Sequence, residues 1–162
     1  MPIYNIFSNI WLYLSINKIN ALNEKNKYGE EKTLINKISK THYIDKIIYI
    51  DSEFAFWNST HFNGYNEVIL QQIQDNNDKE LANRFNKLIK LLLKYMITTE
   101  ESIMLVSFQY PEILITFYIY MIAKTTKVSL ANAIKIYNGK IQGLHYNLDN
   151  KLNRFLLLNC SN

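Results

Sequence analysis

The chain is short of the residues that bend, staple or activate a protein. Its 162 residues include four glycines, two prolines and one cysteine. So few glycines leave no glycine-rich loop to cradle a phosphate with backbone N–H groups. The one thiol, Cys160, has no partner for an internal disulfide. The fold must then stand on its apolar core, and a reducing compartment is expected. Cys160 itself reads as an incidental thiol of the tail. No apolar run reaches the ~20 residues that cross a bilayer, and residues 113–123, the longest, fall well short. The opening MPIYNIFSNIWLYL has no basic start and no small-residue cleavage site, so no signal peptide is expected. His42, His61 and His145 share no helical spacing, so no metal site and no cofactor are expected.

What is present points to an ordinary folded protein. The length suits one domain over residues 1–162 and can bury a core without staples. Isoleucine, asparagine, lysine and tyrosine abound, a bias typical of AT-rich genomes such as those of some viruses or protozoa. The formal net charge is +4. The lysines are scattered among asparagines and glutamates, which describes a solvated surface and disfavours nucleic-acid recognition. No membrane contact is expected. The expected place is intracellular: the cytoplasm, or host cytoplasm or virion for a viral protein. A homodimer stays open.

The pattern alternates strands and helices. Residues 3–14 read as two short strands with a turn near Ser8 and Asn9. Residues 16–27 suit a helix with Ile19 and Leu22 inward, and residues 28–32 suit a polar loop. Leu34, Ile35 and Ile38 recur at helical spacing. Residues 44–50 suit a buried strand. Residues 51–66 suit a loop holding Phe54, Phe56, Trp57 and Phe62, whose rings are expected to fold inward. Residues 68–73 suit another strand. Asp78 suits the N-cap of the clearest helix, in which Leu81, Phe85, Leu88, Leu92 and Met96 share one face. Lys87, Lys90 and Lys94 fall on the other face, and residues 98–102 suit a link to the next strand. Ser129 suits an N-cap for residues 130–137, with a stop at Asn138 and Gly139. Residues 144–147 suit a loop. Leu148, Leu152, Phe155 and Leu156 define a last helix. The expected class is α/β, a mostly parallel sheet of about four or five strands with helices on both faces.

The chain centres on residues 102–124, SIMLVSFQYPEILITFYIYMIAK. A buried strand at 103–106 runs through a tight loop into a long apolar helix. Its rings Phe117, Tyr118 and Tyr120 read as core. This unit resembles the signature region of the dual-specificity phosphatases, within the cysteine-dependent protein tyrosine phosphatases. In that family a buried strand leads to His-Cys, five loop residues, Arg-Ser/Thr and an apolar helix. Here Ser107 and Phe108 stand where His-Cys would be. Gln109, Tyr110, Pro111, Glu112 and Ile113 fill the loop. Leu114 (or Ile113, with a loop one residue shorter) stands where Arg would be. Asn9-Ile10-Trp11-Leu12-Tyr13 is similar to the family's opening strand without its glycine. KTTKVSLANAIKIY also follows in the family's register. Asp75 is the better match to the position of the family's general acid, with Asp78 the weaker one. The resemblance implies a phosphatase-like fold and spans nearly the whole chain.

The residues themselves speak against the chemistry. A cysteinyl phosphatase needs a thiolate, and Phe108 has no ionisable atom. It needs a guanidinium fork, and no Arg or Lys lies between Lys94 and Lys124. Pro111 removes an N–H from any anion nest. Glu112 adds negative charge where a dianion would sit. Asp75 then has no nucleophile to serve. A phosphatase-like chain without activity is expected, acting on a protein partner as scaffold, decoy or regulator. Phe108 is expected to close the former pocket as a structural ring. The alternatives are altered chemistry through Asp75, Ser107 or a histidine, and a structural subunit of a larger, conceivably viral, assembly.

Overall fold

A computed structural model of the chain describes residues 3–7, 9–14, 25–49, 65–66, 78–98, 101–107, 112–141 and 150–160. The strands are β1 (Ile3–Phe7), β2 (Ile10–Tyr13), β3 (Lys46–Tyr49), β4 (Tyr65–Asn66) and β5 (Ile103–Val106). The helices are α1 (Lys25–Thr41), α2 (Asp78–Thr98), α3 (Glu112–Thr126), α4 (Leu130–Lys140) and α5 (Asn150–Asn159). The sheet order is β1-β2-β5-β3-β4. β2, β3 and β4 each join through parallel pairing, with β5 between β2 and β3. Only β1 runs antiparallel, as the hairpin partner of β2. The class matches the one expected: α/β, mostly parallel, helices on both faces.

β5 explains the layering. Its IMLV sequence is buried at every position, as a strand covered on both faces must be. Ile103 and Leu105 enter one core, while Met104 and Val106 enter the other. The same alternation runs through Leu12 and Tyr13 of β2 and through Ile48 and Ile47 of β3. The smaller core is closed by Ile35 and Ile38 of α1. The larger core takes α2, α3, α4 and α5. Its centre is aromatic: the Phe85 ring lies 5.3 Å from Phe117 and 5.5 Å from Phe155, both edge-on.

Several boundaries differ from the sequence expectation. Residues 28–32 are not a loop but part of α1. Gly29 costs the helix only about 1 kcal/mol, and its Glu and Lys neighbours are good helix formers. Gly139 does not stop α4, which runs on to Lys140. Ile141, 1% exposed, anchors the cap beyond it, and its N–H donates to the Tyr137 carbonyl. Tyr65 and Asn66 are strand rather than loop, paired with Ile48 and Tyr49. The strand expected at 44–50 is described at Lys46–Tyr49. Thr98 closes α2 rather than opening the link. Asp78 is the first residue of α2 rather than its cap, a one-residue difference in a region where helix ends are loosely defined. Ser129 does cap α4, its Oγ accepting from the Asn132 N–H at 3.2 Å. Of the helix expected at 16–27, residues 25–27 belong to α1 and the rest lies outside the described residues, as do residues 51–64 of the aromatic loop, the strand at 68–73 and the loop at 144–147.

Candidate functional site

The strand–loop–helix unit has the expected frame. β5 ends at Val106, and α3 begins at Glu112. Parallel neighbours on both sides fix the direction of β5, so its carboxyl end delivers the chain to the loop. α3 then returns along the sheet. Eleven of its residues, Ile113 to Ala123, are buried, which accounts for its apolar character on all sides.

Within this frame, the described residues on either side of the loop, Ser107 and residues 112–114, are buried or half-buried. Ser107 follows β5 and is 0% exposed. Glu112 opens α3 and is half-buried. Its Oε2 is shielded from solvent and accepts no hydrogen bond among the described residues. Its carbonyl accepts from the Thr116 hydroxyl at 2.9 Å. A carboxylate in a first helical turn is favoured by the helix dipole and repels other anions from the same place. Ile113 and Leu114 are both fully buried in the larger core. Each side chain therefore packs against the body of the protein. Phe108, Gln109, Tyr110, Pro111 and Asp75 lie outside the described residues, and so does the closing role expected of Phe108.

The single thiol is elsewhere. Cys160 follows α5 and is buried in the larger core. Burial pushes its thiol pKa up, with Lys124 pulling the other way. A reactive cysteine needs the opposite shift. His42 is half-buried beside the Trp11 ring at 5.0 Å. His61 and His145 lie outside the described residues. Among the described residues, no group of His, Cys, Asp or Glu could hold a metal ion.

Sequence reasoning missed the polar latch at the opposite end of the sheet. Asp45 Oδ2 accepts from the Ser102 N–H at 2.8 Å. Lys46 Nζ meets Glu101 Oε2 at 3.1 Å. The Asn9 side-chain amide donates to the Glu101 carbonyl, and the Ile103 N–H donates to Asn9 O at 2.8 Å. Together these groups hold the amino ends of β2, β3 and β5. Residues 101–102 gave no periodic signal, because a latch pairs residues distant in sequence.

No protein-family model and no curated protein sequence matches the chain. Solved structures do. The crystal structure of Cydia pomonella PTP-2 phosphatase superposes with a TM-score of 0.62 at 12% identity, over 95% of this chain and 87% of that one. A leucine rich repeat and phosphatase domain containing protein from Entamoeba histolytica superposes with a TM-score of 0.57 at 13% identity, over 96% and 88%. The chain therefore has a protein tyrosine phosphatase-like fold. At such identities the likeness defines the fold and leaves the activity to the residues of the site. No single described helix is long and apolar enough to cross a membrane.

Proposed function

We propose that the chain is a non-catalytic protein on a phosphatase fold, a pseudophosphatase of dual-specificity type that works by binding another protein. The reading is carried by the place of the only thiol. It sits after α5 in the core with a raised pKa, while β5 is followed by Ser107 and Phe108. A covalent phosphoryl-cysteine step has no nucleophile in the loop. No cation between Lys94 and Lys124 could neutralise a transferring phosphoryl group. Ser107, wholly buried, is a poor substitute nucleophile, which weighs against altered chemistry at the same place. What remains is a stable scaffold whose surface is free to act as scaffold, decoy or regulator. Titration of the full chain with tungstate, an oxyanion that mimics phosphate, tests the reading. No saturable heat is expected up to millimolar tungstate. Saturable binding that Glu112→Gln strengthens would show an anion site still in use and would contradict it.

A further inference from the structure

We draw no further inference here: the strongest candidate, the apolar cleft of about 50 Å³ between Phe7 and Ile10 of the β1–β2 hairpin, Ile89 and Leu92 of α2 and Met121 of α3, carries nothing, because nothing in the structure shows what covers it.

Discussion

The two ends of the sheet have been treated in opposite ways. At the amino ends of β2, β3 and β5, Asn9, Asp45, Lys46, Glu101 and Ser102 are tied into one polar latch. At the carboxyl end of β5, where a phosphatase concentrates its donors, stand a buried serine, a carboxylate and two core aliphatics. The fold is thus tied by polar groups at the amino ends of its strands. Beyond the carboxyl end of β5 it is packed chiefly by Ile113 and Leu114, both fully buried in the larger core.

The contrast can be broken most severely at Leu114. Leu114→Arg places a charge in the larger core, where Leu114 is fully buried, without a partner. It should cost about 3–5 kcal/mol, the penalty of an uncompensated buried charge, read as a lowered urea midpoint. A variant as stable as the parent would mean that the position faces the loop rather than the core.

The core that joins the two ends has its own signature. Burial pushes the Tyr118 hydroxyl from 10 up to about 12. Below pH 10 the phenol is neutral in both states, and its contribution is intact. Between pH 10 and about 12 the unfolded chain gives up the proton that the folded chain keeps. Stability should therefore fall as pH rises through that window, by at most about 2 kcal/mol for this group. Tyr118→Phe should flatten the fall in denaturation curves taken from pH 9 to 12. An unchanged slope would mean that the ring is better hydrated than its 2% exposure indicates.

The smallest effect belongs to the latch. Asp45 is exposed, so Asp45→Ala should cost only about 1 kcal/mol. The loss should be local, seen as faster amide exchange at Ser102 and Ile103. A loss as large as that at Leu114 would erase the distinction between the two ends.

Much of this frame was legible in the sequence because it follows from periodicity. The all-apolar IMLV of β5, the stripe of α2 over about three turns from Leu81 to Leu92, and the Ser129 cap each announce themselves locally. The faults came where local signals are weak. Gly29 and Gly139 read as breaks, but burial of Ile35 and Ile38 further along α1, and of Ile141 just beyond α4, anchors the helices that run through them. That residues 107–114 hold no cysteine and no arginine is plain from the sequence itself. The latch was not legible, since it gathers residues from three distant segments, around Asn9, Asp45 and Ser102.

The central claim is that the phosphatase frame persists here without phosphatase chemistry. Its most direct test is turnover of p-nitrophenyl phosphate by the full chain, purified beside a Phe108→Ala variant to control for host phosphatase. The expected result is the same background rate for both proteins, with no bell-shaped pH profile. Turnover by the parent that rises above the Phe108→Ala control and is lost on vanadate addition would contradict the account.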